Sequence, residues 1–142
     1  MASPNSALIR GISFLLLVSL SGFLAGCGST EEESRSEELT ALATKLVEST
    51  VAGDFSTAVE DFDSDMKDVF PSEMLRDTWN SLISQVGVFQ KQTGTHMEET
   101  DSWVIIFVTC EFEYAMIDIK VVFSAENQVA GLFFVPSTSS TE

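Results

Sequence analysis

Residues 103–135, WVIIFVTCEFEYAMIDIKVVFSAENQVAGLFFV, contain three consecutive patterns that are typical of β-strands. Residues 103–114 are rich in β-branched and aromatic side chains, residues 116–124 alternate between apolar and polar, and residues 129–135 are apolar. The polar segment 125–128 predicts a hairpin turn between the last two strands. Together these patterns predict strands that pair in an antiparallel sheet.

The alternation in residues 116–124 predicts that one face of this sheet is covered and that the other face meets water. Ile117, Ile119, Val121 and Phe123 project to one side, and Asp118, Lys120 and Ser124 project to the other. One wet face is expected of an antiparallel sheet. Residues 88–98 are more polar and predict a fourth strand at an edge of the sheet.

Helical periodicity precedes the strands. Three segments place apolar side chains at three- and four-residue spacing, and they begin at Ser36, after the capping residue Asp54, and at Pro71-Ser72. Their apolar positions are Leu39, Leu42, Ala43, Leu46 and Thr50, then Phe55, Ala58, Val59 and Phe62, then Leu75, Trp79, Leu82, Ile83 and Val86. Helices followed by a four-stranded antiparallel sheet predict an α+β fold, with the helices packed on one sheet face.

The N-terminal segment is typical of a secretion signal. Residues 1–10 carry one arginine, residues 11–23 form a short apolar run, and Leu24-Ala25-Gly26-Cys27 follows. The run is too short to cross a bilayer comfortably, since crossing takes about 20 apolar residues. The four residues resemble the lipobox of prokaryotic lipoproteins. That resemblance implies cleavage between Gly26 and Cys27 and attachment of a lipid to the Cys27 thiol.

We therefore divide the chain into a signal peptide (1–26), a lipidated cysteine with a flexible acidic tether (27–36), a single α+β domain (37–136) and a disordered tail (137–142). The tether is predicted because residues 28–36, GSTEEESRS, include no apolar side chain that could pack. The protein is expected to be lipid-anchored at the cell membrane and to face outside the cytoplasm.

The acidic charge of the chain argues against two classes of partner, nucleic acids and anionic lipid surfaces. The chain has 7 Lys and Arg against 22 Asp and Glu, a formal net charge of −15. Nucleic acid is not expected as a partner, because its phosphates need a basic protein face. Attraction to anionic lipid head groups is disfavoured for the same reason, so the membrane is expected to be reached through the lipid on Cys27.

A set of short segments between residues 37 and 136 resembles a known family. They are Asp54-Phe55-Ser56-Thr57-Ala58-Val59, Phe62-Asp63, Met66-Lys67, Leu75, Trp79, Val108-Thr109-Cys110-Glu111-Phe112-Glu113, Val121-Val122-Phe123 and Val129-Ala130-Gly131-Leu132-Phe133-Phe134. The family is Domain of Unknown Function 3887, and the last segment is the most specific part of the resemblance. The resemblance implies a cystatin-like fold of the nuclear transport factor 2 type, in which a curved antiparallel sheet wraps helices into a cone. It implies no activity.

Three functions stay open for such a domain. The first is a non-catalytic binding module that presents a sheet face or the mouth of the cone to a small ligand or a protein partner. The second is structural homodimerisation, because similar folds often dimerise through the sheet. The third is an isomerase- or hydrolase-like enzyme that uses the cone pocket. The chain contains no Gly-x-Ser-x-Gly or other catalytic motif, so we expect it not to be an enzyme.

Five residues are candidates for a pocket inside the cone. Phe62, Phe70 and Trp79 could line it, although aromatic residues at helical spacing equally suit a core. Tyr114 and Asp118 are the candidate acid–base groups, because burial in an apolar pocket raises the pKa of a carboxyl. The strand alternation places Asp118 on the wet sheet face, which argues against this role.

No metal or cofactor is expected. Asp61, Asp63 and Asp65 match the opening of a calcium-binding loop, in which alternating carboxylates converge on one cation. The rest of the loop does not match, because Met66 stands at the glycine position and Ser72 stands where a glutamate should close the site.

Cys110 and His96 are not expected to take part in chemistry. Cys110 lies in an apolar stretch and has no disulfide partner if Cys27 carries a lipid, so it is expected to be a small buried side chain. His96 is the single histidine of the chain and is expected to be exposed and inert, because metal sites need several ligands.

Overall fold

The computed structural model describes residues 28–138. The predicted signal peptide, the predicted cleavage site between Gly26 and Cys27, and the last four residues of the predicted tail lie outside the described residues. The elements, in chain order, are α1 (Gly28–Val51), α2 (Phe55–Ala58), α3 (Ser64–Val69), α4 (Ser72–Val86), β1 (Phe89–Glu99), β2 (Val104–Phe112), β3 (Met116–Phe123) and β4 (Val129–Pro136). Helices followed by strands confirm the predicted α+β architecture.

The four strands pair in the order β1-β2-β3-β4, and every neighbouring pair is antiparallel. Short connections produce this order, because consecutive antiparallel strands can be joined by hairpins. In the β3–β4 turn the Ser124 amide donates to the Gln128 carbonyl at 2.9 Å, and Asn127 has a positive φ of 60°. The turn therefore lies where the sequence predicts it, and its left-handed position is held by a residue type that tolerates it.

The core lies between the helices and one face of the sheet. β2 alternates strictly between buried and half-buried residues, and β3 turns Ile117, Ile119, Val121 and Phe123 inward, as the alternation predicts. From α1, Leu39, Ala43, Leu46 and Val47 are buried against this face. The three- and four-residue spacing of these helical residues places them on one side of α1, which is why the helix covers the sheet.

Trp79 of α4 fills the space between that helix and the sheet. Its side chain is 4% exposed. Its ring centroid lies 5.6 Å from that of Phe112 on β2 and 6.2 Å from that of Phe134 on β4, in tilted arrangements typical of packed aromatic rings. The indole therefore belongs to the core between α4 and the sheet.

The segment 28–36 differs from the predicted flexible tether, because it forms the first turns of α1. Glu31 lies in the first turn, where a carboxylate interacts favourably with the helix dipole. Arg35 anchors this part of the helix to the sheet: its Nε donates to Asn127 Oδ1 at 2.9 Å, and its Nη2 donates to the Ser124 carbonyl at 3.4 Å. Composition alone did not reveal this tertiary contact.

The middle of the helical region also differs from the prediction of three helices. α2 is only one turn long, and Phe62 lies beyond it, where it forms an isolated parallel bridge with Val129 of β4. The backbone leaves helical geometry there, with the Asp63 amide donating to the Val129 carbonyl at 2.9 Å. Asp63 then caps a separate helix, α3, by accepting from the Met66 amide at 2.7 Å.

Within the described part of the chain, every helix is too short or too polar to cross a bilayer.

Candidate functional site

The sheet face opposite the helices carries three cross-strand rows, each with one residue from every strand. The first is Glu98, Ile105, Val122 and Gly131; the second is His96, Phe107, Lys120 and Phe133; the third is Gly94, Thr109, Asp118 and Val135. We call this surface the outer face. In its first two rows the two central strands and β4 contribute the apolar side chains Ile105, Val122, Phe107 and Phe133, beside the polar Glu98, His96 and Lys120.

Exposed aromatic side chains lie at the end of the outer face formed by the β1–β2 and β3–β4 hairpins. Trp103, just before β2, is 45% exposed, and Phe133 of β4 is 51% exposed. Between them lies a groove of about 260 Å³, lined by Thr100, Trp103, Ile105, Val122, Ala130, Gly131 and Phe133. We call it the hairpin groove. An exposed apolar groove of this kind is typical of a binding surface.

Gly131 forms part of the floor of the hairpin groove. A Cβ atom at this position would lie 3.1 Å from Phe133 Cε2 and 3.4 Å from the Val122 side chain. The absence of a side chain at Gly131 therefore lets the Phe133 ring and the Val122 side chain lie close to the backbone of β4.

The second row places a cation among aromatic rings. Lys120 Nζ lies 5.8 Å from the Phe107 ring centroid and 5.7 Å from that of Phe133, which is within the range of cation–π attraction. His96, on the edge strand, stacks on Phe107 with a centroid distance of 4.3 Å and an interplanar angle of 4°. His96 is exposed, and within residues 30–138 it belongs to no group of three or more potential metal ligands.

Asp118 lies on the outer face, as the alternation predicts, but it is only 6% exposed. Thr109 Oγ1 donates to Asp118 Oδ1 at 2.6 Å from the neighbouring strand. Among residues 30–138 no basic side chain forms an ion pair with it. The sequence therefore predicted the correct sheet face for Asp118. The expectation that its carboxylate is exposed to water is wrong.

The five residues predicted to form a cone pocket do not converge on one cavity. Phe62 and Trp79 are buried in the core, and Phe70 is half-buried against it. Tyr114 lies in the β2–β3 turn and is 73% exposed, whereas Asp118 is buried. None of the five lines the hairpin groove or the depressions along α1 and α4.

The neighbouring residue Glu113 determines the electrostatic environment of the Tyr114 hydroxyl. A side-chain hydrogen bond to Glu113, together with the charge of that carboxylate, raises the pKa of the Tyr114 hydroxyl. A raised pKa keeps the phenol protonated, and its exposed position leaves it without an apolar pocket.

The three aspartates that match a calcium loop have separate structural roles. Asp61 Oδ2 accepts from Lys45 Nζ at 3.2 Å, and Asp63 caps α3. Asp65 lies in the first turn of that helix. No group of three or more potential metal ligands is present in the described part of the chain.

Cys110 is fully buried in the core, which confirms its prediction as a small buried side chain. Burial, and to a smaller extent the charge of Asp118, raises the pKa of the thiol from 9.0 to about 12. The thiol donates weakly to the Val108 carbonyl, with a sulfur–oxygen distance of 3.6 Å. A thiol in this state is not a nucleophile, because the thiolate is the reactive form.

The sequence contained a signal for the outer face that the prediction did not use. Residues 104–108, VIIFV, are apolar at every position, whereas a strand with one wet face should alternate. A continuous apolar run predicts that both faces of β2 are apolar. Row partners such as Gly131 were not visible, because they depend on strand register.

The fold and this surface define a small α+β module with helices over one sheet face and an apolar groove on the other. Residues 43–132, well over half of the chain, match the family described as Protein of unknown function (DUF3887). The chain belongs to this family, and the match confirms the family that the sequence segments resemble. Neither the curated proteins nor the solved structures yielded a significant match.

Proposed function

We propose that this protein is a lipid-anchored, extracytoplasmic binding module that contacts its partner through the outer face of its sheet. In this proposal residues 1–26 are the signal peptide and Cys27 carries the lipid. The anchoring part rests on the segment Leu24-Ala25-Gly26-Cys27, which places small residues before a cysteine, directly after an apolar run. Two or three acyl chains hold a protein firmly to a membrane where one alone is marginal.

The observation that carries the binding role is the exposure of Trp103 and Phe133 on either side of the hairpin groove. Large aromatic side chains supply much of the binding energy at protein interfaces, because each buries about 150–250 Å². Leaving them in water is unfavourable at about 25 cal/mol per Å² of apolar surface. A partner that covers both side chains would recover that free energy.

Binding is favoured over catalysis by the positions of the candidate acid–base groups. Tyr114 is exposed in a turn, and Asp118 hydrogen-bonds to Thr109 without lining a groove. An isomerase- or hydrolase-like site needs such groups to face one substrate cavity. The interior position that such a cavity would take is filled by Trp79.

The fold type of the domain is part of the same proposal. We assign the domain to the cystatin-like folds of the nuclear transport factor 2 type, with the helices on the concave side of the sheet. The support is the order of elements, helices first and four antiparallel strands afterwards, with the core on one face only. In this family member the cone is packed by aromatic side chains, so the convex side becomes the surface that is free for binding.

Pairing of two copies is a second candidate function of the same surface. The apolar side chains of the first and second rows favour it, because a two-fold interface needs one patch that can cover its own copy. Sizing of the purified full chain in detergent by light scattering tests this candidate. A mass of two chains that falls to one chain on Phe133→Ser substitution supports pairing, and a single-chain mass at all concentrations rejects it.

The anchor is tested by metabolic labelling with a clickable fatty acid. The wild-type chain and a Cys110→Ala variant should both carry the label in the membrane fraction, and a Cys27→Ser variant should not. The Cys110→Ala variant is the matched control, since the chain has two cysteines. Label that persists in Cys27→Ser, or an unlabelled wild-type chain, would reject the lipid anchor.

The binding surface is tested by photo-crosslinking in living cells. A photoreactive amino acid at position 103 or 133 should give a discrete adduct with a partner. The same amino acid at Val69 or Tyr114 should not, although both of these side chains are more exposed than Trp103 and Phe133. Equal adducts from all four positions would show that exposure alone, and not the outer face, determines contact.

A further inference from the structure

The size of the hairpin groove indicates what kind of group it can hold. Its volume of about 260 Å³ is below the range of about 300–1,000 Å³ that is typical of drug-sized ligand sites. It is open on one side and lined mainly by apolar side chains, with Trp103 and Phe133 as its walls. These dimensions suit one large apolar side chain that belongs to a longer polymer.

Three carboxylates lie at the same end of the sheet as the hairpin groove. Glu98 lies directly opposite Ile105 in the first row, and Asp101 lies in the β1–β2 turn, before Trp103. Glu126 lies in the turn between β3 and β4. All three carboxylates are exposed, and within residues 30–138 none of them forms an ion pair. We call Glu98, Asp101 and Glu126 the acidic rim.

The cation of the outer face does not neutralise this rim. Lys120 lies one row further from the hairpins, where its ammonium group is close to the Phe107 and Phe133 rings. Arg35 lies on the helix side and is hydrogen-bonded to Asn127 and to the Ser124 carbonyl. The negative potential at the mouth of the groove is therefore available to a ligand.

We propose that the hairpin groove binds a cationic peptide segment in which a large apolar side chain, flanked by lysine or arginine, enters the groove while the basic groups meet the acidic rim. This inference rests on the proposed function, because it assumes that the outer face is the binding surface, and it names the chemical class of the partner. An acidic surface beside an apolar groove selects such a segment by both charge and shape.

The alternative occupants fit the charges less well. Two copies of this chain have the same formal net charge of −15. They therefore repel each other as they approach. A bilayer with anionic lipids has the same sign as the acidic rim. A basic segment is attracted from a distance, and its attraction weakens as salt screens it.

The experiment uses the full chain in maltoside micelles and a fluorescently labelled short peptide in which phenylalanine is flanked by lysines. Binding is measured by anisotropy, with empty micelles as the blank. One control peptide replaces the lysines by glutamates, and the other replaces the phenylalanine by alanine. The rim variant is Glu98→Gln/Asp101→Asn/Glu126→Gln. Its matched control, Glu48→Gln/Asp65→Asn/Asp68→Asn, removes three exposed carboxylates from the helix side.

The rim variant should bind the lysine peptide about tenfold more weakly, because each exposed ion pair contributes a factor of about two. The control variant should stay within about twofold of wild type. Phe133→Ser should abolish the difference between the phenylalanine and alanine peptides. Circular dichroism of each variant establishes that the fold is retained, which is expected since all substituted side chains are exposed.

Equal affinity for the glutamate peptide, or an unchanged affinity in the rim variant, would overturn the cationic partner. If Phe133→Ser still weakens binding in that case, the outer face remains the binding surface and only the partner class is wrong. If neither the rim variant nor Phe133→Ser changes binding, both this inference and the proposed function fail. Light scattering supplies a further outcome. If the wild-type protein has the mass of two chains and Phe133→Ser has the mass of one, the surface binds a second copy and the proposal of a cationic peptide partner is overturned.

Discussion

Thr109 on β2 and Asp118 on β3 are direct cross-strand partners, and the threonine hydroxyl donates to the aspartate carboxylate at 2.6 Å. The carboxylate is buried on a sheet face that no helix covers. A buried carboxylate is costly unless its oxygens are hydrogen-bonded. The contact therefore stabilises the centre of the sheet, where a charged side chain would otherwise be unfavourable.

Replacing Thr109 by valine keeps the shape of the side chain and removes the donor to Asp118. We expect a loss of about 1–3 kcal/mol in the free energy of unfolding, because a buried acceptor then has no partner. Urea denaturation measures it. Thr109→Ser should recover most of the loss, since it restores the hydroxyl. Thr93→Val removes an exposed hydroxyl that donates to the Thr109 carbonyl at 3.2 Å, and it should change stability by no more than about 0.5 kcal/mol because water can replace this donor. Equal losses in the two valine variants would contradict this account.

The two tryptophans give a matched test of core and surface. Trp79→Ala leaves a cavity among Phe112, Phe134 and the helices, and we expect it to cost about 3–5 kcal/mol. Trp103→Ala removes an exposed side chain and should change stability by no more than about 0.5 kcal/mol. Urea unfolding followed by far-UV circular dichroism compares them without relying on tryptophan fluorescence. A large loss at position 103 would mean that this side chain is part of the fold rather than free for binding.

Alanine substitutions at Gly87 and Gly53 distinguish the cost of backbone strain alone from the cost of strain combined with steric overlap. Gly87, between α4 and β1, has φ 83° and ψ −173°, a region that other residues avoid, and an added Cβ would lie 2.5 Å from Glu113 Cβ. We expect Gly87→Ala to cost about 3 kcal/mol or more. Gly53 also has a positive φ, but nothing lies within 4 Å of its added Cβ. Gly53→Ala should cost only about 1 kcal/mol. Thermal unfolding measures both, and a larger loss at Gly53 would contradict the steric argument.

Cys110 should react with alkylating agents only when the core opens. With a pKa of about 12 the thiolate fraction at pH 8 is on the order of one in ten thousand, so labelling in a Cys27→Ser background should be slow and should accelerate in urea. The raised pKa also has a pH consequence. The stability linked to this thiol is fully present below pH 9.0 and is lost as the pH rises toward 12.

Comparison with Cys110→Ala isolates that linkage from other groups that titrate in the same range. The wild-type chain should lose more stability than the alanine variant between pH 9.0 and 12. Rapid labelling of the folded protein at pH 8 would show that the thiol is accessible, and would remove the basis for the pH effect.

The strand boundaries illustrate how far local patterns reach. The alternation over residues 116–124 predicts β3, which spans Met116–Phe123, and the apolar run 129–135 predicts β4, which spans Val129–Pro136. A two-residue period and a turn of suitable residues are local properties, so one sequence is enough to locate them. The third predicted helix, opened by Pro71 and closed by Gly87, is correct for the same reason.

The candidate site depended on contacts between distant segments and was therefore predicted poorly. Phe62 looks helical in the sequence, yet its backbone forms a bridge with Val129, more than sixty residues later. Asp118 was expected to be wet, yet its neighbours cover it. Arg35, in the segment that was expected to be a flexible tether, hydrogen-bonds to the β3–β4 turn. Residue periodicity holds no information about any of these contacts.

The amino-acid sequence by itself determined the α+β order of elements, the inward face of β3, the burial of Cys110 and the family of the chain. Each of these depends on local residue spacing or on short segments of sequence. Tertiary structure alone decided that Trp79 fills the interior and that Trp103, Gly131 and Phe133 form a groove outside. Those outcomes follow from strand register and helix docking, which bring residues together that no local pattern connects.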